Sequence, residues 1–231
     1  MMQYIFSPRW FYGIDIIFEL FSILIVILLA RYGHRLYRIT SDKKHKYFSV
    51  FFLLVGIAFA FKIIANFDIY YLDISSLRIE NAMFYFETSH ISEILFAIGF
   101  SVFRFLMMLA FFGLFFISVS RESRPGLFYL CAYFIAVIAI FSQSAYYIFH
   151  LTMFVILSGL LSCYMQSYAK KRPANSELFL TSLSFLMLLF SQAAFAAITL
   201  DLVMYVVGEV LQLAGFSVLL YEYILVTRYE K

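Results

Sequence analysis

The stretch "FYFETSHISEILFAIGFSVFRFLMMLAFFGLFFISV", Phe84–Val119, decides how the rest of the chain is read. From Ile94 onward it is an apolar run interrupted by a single charge, Arg104. The run exceeds the ~20 residues that an α-helix needs to cross the hydrocarbon core of a bilayer. It is continuous rather than alternating, which selects a helix over a barrel strand. Just ahead of it, Glu87, His90 and Glu93 gather in a chain that is only 13% charged. The stretch therefore raises both issues at once: a membrane fold, and ionisable groups placed where they are costly.

Composition extends the first point to the whole molecule. The chain has 231 residues, of which 64% are hydrophobic, with thirty Phe and eighteen Tyr. A soluble domain is about half apolar and about a quarter charged, so lipid is the solvent this composition fits. The same hydropathy reading predicts seven spans, at residues 11–30, 47–66, 92–119, 127–141, 145–166, 178–199 and 202–227, with an outer loop over 67–91. The expected fold is all-α: a polytopic integral membrane protein, a seven-transmembrane-helix bundle forming a single domain over residues 1–231. The first span carries Asp15 and Glu19 and has its basic cluster behind it, so it reads as a retained helix rather than a cleaved signal. Cys131 and Cys163 fall inside apolar segments and read as small buried hydrophobes, not a disulfide framework. No basic tract interleaved with aromatics on a polar background supports nucleic-acid binding.

Basic residues set the orientation. "RYGHRLYRITSDKKHK" follows the first span, "RESR" the third, "KKR" the fifth and "TRYEK" the last. Thirteen of the seventeen Lys and Arg thus lie on one side, which places the N-terminus outside and the C-terminus in the cytoplasm, as a multi-pass protein of the plasma membrane. The outer loop has amphipathic character around Ser76–Phe86, which suggests a short surface helix, and Thr88 or Ser89 then serves as N-cap of the third span. All three prolines, Pro8, Pro125 and Pro173, lie outside the spans, so glycines such as Gly99 and Gly208 read as close-contact positions rather than as helix breaks.

With that orientation and 1.5 Å per residue, the intramembrane polar groups collect in the outer half. They are Asp15 and Glu19 in the first span, Lys62 in the second, Glu93 and Arg104 in the third, His150 in the fifth, Gln192 in the sixth, and Asp201, Glu209 and Gln212 in the seventh. Asp15 and Glu19 share a helix face, as do Glu209 and Gln212. A charge at a helix centre costs roughly 2.5–3.5 kcal/mol on insertion scales, so these groups face the bundle interior and pair. Arg104 is expected to meet Glu19 or Glu209, and Lys62 another acid. A register lock of ion pairs accounts for the pairing; a pocket open to the outside also accounts for the one-sided depth.

The residue types narrow the chemistry. Glu87, His90, Glu93 and His150 offer a weak metal set, since Glu-x-x-His spacing serves metal sites in bundles. Ser142, Ser144, His150 and Asp201 contain the elements of a hydrolytic site, without a motif. A retinal pigment is excluded because the seventh span has no Lys for a Schiff base. Haem held by two facing His has only His150 to draw on, and a proton path lacks groups in the inner half. No cofactor is expected. The reading that follows is a receptor or sensor with an outward polar pocket, taking an unknown small ligand and signalling to a separate cytoplasmic or membrane partner through its basic inner loops. The alternatives are an enzyme or metal site at the outer face, a small transporter, and a structural subunit of a membrane complex.

Overall fold

The computed structural model describes the backbone of residues 7–76, 82–119, 125–142, 145–171 and 176–229. Within these it describes all side chains except those of residues 9, 68–76, 82–93, 125, 146, 170–171, 176–177 and 226–229. The described residues are helical throughout, with no strand. A short 3-10 turn at Arg9–Phe11 leads into seven α-helices: α1 Ile14–Thr40, α2 Lys43–Ser76, α3 Ala82–Val119, α4 Pro125–Phe141, α5 Tyr146–Lys171, α6 Ser176–Ala196 and α7 Val203–Tyr229. Five of them contain segments long and apolar enough to cross a membrane: Lys43–Phe67, Ile94–Val119, Tyr147–Ala169, Leu178–Ala196 and Val203–Leu225.

The helix α1 shows how this sequence departs from a water-soluble helix. Asp15, Glu19, Ser22, Val26, Leu29, Gly33 and Leu36 are all buried and recur at alternating steps of four and three. That spacing draws one seam along the helix. The opposite face, with Ile17, Leu20, Phe21, Leu24 and Ile27, is exposed. The helix is inverted relative to a soluble one: its acids point in and its hydrophobes point out. An exposed apolar surface of this kind, continued by Ile64, Phe67, Ile98, Val155, Phe134 and Phe141 on other helices, is far larger than a water-soluble monomer leaves open.

The helices α1, α2, α3, α5, α6 and α7 pack in that order into a closed ring, with α7 returning to α1. The seventh member, α4, stands outside the ring against α3, touching α5 only lightly. One end of the bundle brings together the α1–α2 turn and the C-terminal ends of α3, α5 and α7, all of which abut the basic segments. The α1–α2 turn is two residues long. Ser41 adopts a left-handed φ of 57° and its N–H donates to Tyr37 O at 2.8 Å. Asp42 then caps α2, its Oδ1 accepting the Lys44 N–H at 2.9 Å. Down the middle of the ring Phe52, Phe59, Met108, Phe111, Phe185 and Phe216 are fully buried.

Three expectations need correction. The segment 67–91 is not an extended loop: α2 runs on to Ser76 and α3 begins at Ala82. It contains neither Gly nor Pro, so nothing in its backbone stops a helix once the flanking spans have nucleated one. Thr88 and Ser89 consequently lie inside α3 and are not its N-cap. Likewise α1 continues to Thr40, well past its apolar run, because "RYGHRLYRIT" is polar without being helix-breaking. The proposed surface helix at Ser76–Phe86 and the turn residues Gln143 and Ser144 lie partly or wholly outside the described residues.

Candidate functional site

Helices α1, α2 and α7 bring ionisable side chains together in the interior of the ring, and α5 and α6 share a second polar pair. At the centre of the first group is Lys62, only 5% exposed. Its Nζ lies 2.5 Å from Glu209 Oε1 and 2.9 Å from Glu19 Oε1. Asn66, one turn further along α2, donates its Nδ2–H to the same Glu19 oxygen at 3.0 Å. One ammonium thus ties α2 to both α1 and α7. Asp15, one turn outward from Glu19, holds the start of its own helix by accepting the Gly13 and Ile16 N–H groups at 3.1 and 2.9 Å. Its other oxygen is 3.5 Å from the Tyr205 hydroxyl of α7.

Rings complete the shell around Lys62. The centroids of Phe103, Phe195 and Tyr205 lie 5.7, 5.6 and 5.6 Å from its Nζ. Three π-faces and two carboxylates around one nitrogen make an ammonium site, here filled by a side chain of the same molecule. Gly208 lets this happen: a Cβ there would stand 2.6 Å from the Phe195 ring, so only Gly lets that ring lie against α7. Phe195 also packs on Tyr205 and on His150, and Tyr205 packs on Phe11 beside Trp10. An aromatic column therefore links the ammonium shell to the N-terminal 3-10 turn.

His150 and Gln192 form a separate pair, Nδ1 to Oε1 at 2.9 Å, joining α5 to α6. Gln192 Nε2 donates to Ser191 Oγ at 3.4 Å. Among the described residues three buried side-chain atoms have no hydrogen-bond partner, Glu19 Oε2 and Gln212 Nε2 near this level and Glu222 Oε2 further along α7. Buried polar atoms of this kind are costly.

Arg104 departs from the expected pairing. Its Nη1 donates to Ser142 O at 2.9 Å and to Ser142 Oγ at 3.3 Å, with the guanidinium over the Phe100 ring at 5.5 Å. It meets neither Glu19 nor Glu209. The last carbonyls of a helix have no intrahelical donors. Arg104 supplies one just past the end of α4, at Ser142 O, and a cation suits a helix C-terminus. Ser142 Oγ in turn donates to Ala139 O at 2.8 Å.

Asp201 is also not a member of the cluster. It is exposed, and its Oδ1 accepts the Val203 N–H at 2.9 Å as the cap of α7. The side chains of Glu87, His90 and Glu93 lie outside the described residues, and their backbone is part of α3. The fourth member of that metal set, His150, points its Nδ1 at Gln192. Among the described residues no group of three or more His, Cys, Asp or Glu is arranged to hold a metal. Sequence reading passed over Asn66, Ser142, Phe103, Phe195 and Tyr205. Two of these carried a signal: Asn66 is four residues from Lys62, and Tyr205 four from Glu209, each on the same helix face. Searched against described protein families, curated proteins and solved structures, the chain matches none.

Removing one member of the triad leaves a buried charge unopposed, which costs about 3–5 kcal/mol. Lys62→Met is expected to lower the unfolding free energy by that amount, and the triple variant Lys62→Met/Glu19→Gln/Glu209→Gln to recover most of the loss. Denaturation of the purified variants in mild detergent checks both. Arg104→Leu is expected to cost about 1.5–3 kcal/mol, the range for hydrogen bonds to a charged group. Arg104→Lys is expected to lie between Leu and the parent chain, because an ammonium keeps the charge beside Ser142 without the fork geometry that reaches both its carbonyl and its hydroxyl. Equal losses for Leu and Lys would contradict the capping role.

Proposed function

We propose that the protein is a membrane receptor or sensor whose outer-half interior takes up a small organic cation and reports it through helix packing to a separate protein. The observation that carries this is Glu19 Oε2, a carboxylate oxygen buried completely and without a partner beside an ammonium-binding shell. Lys62 contacts one oxygen each of Glu19 and Glu209, which leaves the second Glu19 oxygen for an incoming cation. Phe103, Phe195 and Tyr205 favour an alkylammonium over a strongly hydrated metal ion, because ring faces replace hydration for a soft cation.

Uptake rather than passage is favoured by what lies below. On the inner side of the triad the ring is filled by Phe52, Phe59, Met108, Phe111, Phe185 and Phe216, all fully or almost fully buried. A ligand held by Glu19 competes with Lys62 for that carboxylate. It thereby loosens the tie between α1 and α2 while the α2–α7 tie persists. That change in packing, carried along α2 to the short Ser41–Asp42 turn, reaches the basic end of the bundle. The positive-inside distribution puts the N-terminus outside and this basic end in the cytoplasm of the plasma membrane, where a partner chain would read it.

The test is thermal unfolding in mild detergent against an alkylammonium series, sodium and a divalent-ion panel with and without chelator. A ligand of the native state raises the midpoint in step with RT ln(1 + [L]/Kd). Alkylammonium ions are expected to raise it in the parent chain and not in Glu19→Gln. A rise restored by one divalent metal after chelation would replace this reading with a metal site at the outer face. A flat response would leave the triad as a register lock.

A further inference from the structure

At the opposite end of the bundle from the ion triad is a cavity of about 270 Å³ lined by Lys44, His45, Phe48, Ile117, Ser118, Cys163, Tyr164, Ser167 and Tyr223. It lies where α2 begins and where α3, α5 and α7 end. We propose that this cavity binds the phosphate-bearing headgroup of an anionic phospholipid. Its lining divides by chemistry. Lys44 and His45 bring two basic side chains to one side; no carboxylate is among the lining residues, and the buried Glu222 carboxylate is close enough to act electrostatically on the Tyr164 and Tyr223 side of the wall. Phe48, Ile117, Tyr164 and Tyr223 form the apolar wall, with Phe48 and Tyr223 stacked at 4.8 Å.

The backbone at the start of α2 is already committed. The Lys44 N–H donates to Asp42 Oδ1 and the His45 N–H to Asp42 O. An anion here is therefore held by the Lys44 and His45 side chains, not by the helix N-terminus. The hydroxyls of Ser118 and Ser167 donate to Leu114 O and Cys163 O, which leaves the basic pair as the charge-selective element. The site lies at the level where apolar helix gives way to basic segments. That is the depth of lipid headgroups on the side a positive-inside protein presents to anionic lipid. A ring-lined wall beside a cationic mouth fits an amphiphile better than a free, fully hydrated anion. This inference does not depend on the cation reading of the outer half.

Cys163 lines the cavity and reports on it directly, and Cys131, on α4, is removed as Cys131→Ser to leave one thiol. The full chain is labelled with a maleimide in mild detergent, alone or with short-chain phosphatidylglycerol, short-chain phosphatidylcholine or glycerol phosphate. At ten times its Kd, phosphatidylglycerol is expected to slow Cys163 labelling about tenfold, with phosphatidylcholine without effect. The protection is expected to vanish in Lys44→Gln/His45→Gln, whose folding is checked by an unchanged melting midpoint. Equal protection by both lipids, or none by phosphatidylglycerol, overturns the proposal. Protection by glycerol phosphate alone at matching concentration overturns the lipid as its source.

Discussion

One ammonium between two carboxylates organises this molecule. Lys62 stands against Glu19 of α1 and Glu209 of α7, and neither acid can remain inside the ring without it. A charge on any of the three helices facing lipid is far more costly than the same charge paired in the interior. The rotation of α1, α2 and α7 about their axes is therefore set at this point. Once it is set, the buried seam of α1 and the exposed apolar face opposite follow from helix geometry alone. The order of the ring brings α7 back to α1, so the same contact also closes the bundle.

A second constraint is the C-terminal end of α4, where the helix leaves backbone carbonyls that need donors. Arg104 meets that need from α3 and so fastens the one helix that the ring leaves outside. The two buried cations thus serve different ends. Lys62 holds helices against one another by charge, and Arg104 satisfies backbone. The polar half around Lys62 and the cavity beside Lys44 and His45 lie at opposite ends of the ring, with the Phe-filled layer between them.

Much of this was legible from residue order because depth along a helix is a linear quantity. The run from Ser92 to Val119, the all-helical architecture with its long apolar helices and the gathering of Glu19, Lys62 and Glu209 all follow from counting residues along an apolar segment. Which buried group meets which did not follow, since that depends on rotation and on neighbours far apart in sequence. Arg104 was misassigned because charge balance was weighed and the carbonyls of α4 were not. Asp201 was misassigned for a related reason: at a helix start a carboxylate serves backbone N–H groups first. The extension of α2 to Ser76 and the start of α3 at Ala82 do not show in hydropathy, which reports solvent, not backbone preference. Phe103 and Phe195 carried no signal at all, being two of thirty phenylalanines whose roles differ only in where they point.

The central claim is that Glu19 accepts a cation from outside while Glu209 keeps Lys62. Infrared difference spectroscopy of the protein in lipid nanodiscs, before and after adding an alkylammonium ion, addresses it at the level of the carboxylate itself. The account predicts a shifted carboxylate band that is absent in Glu19→Gln and retained in Asp15→Asn. A difference spectrum without carboxylate bands, or one that survives Glu19→Gln unchanged, would contradict it.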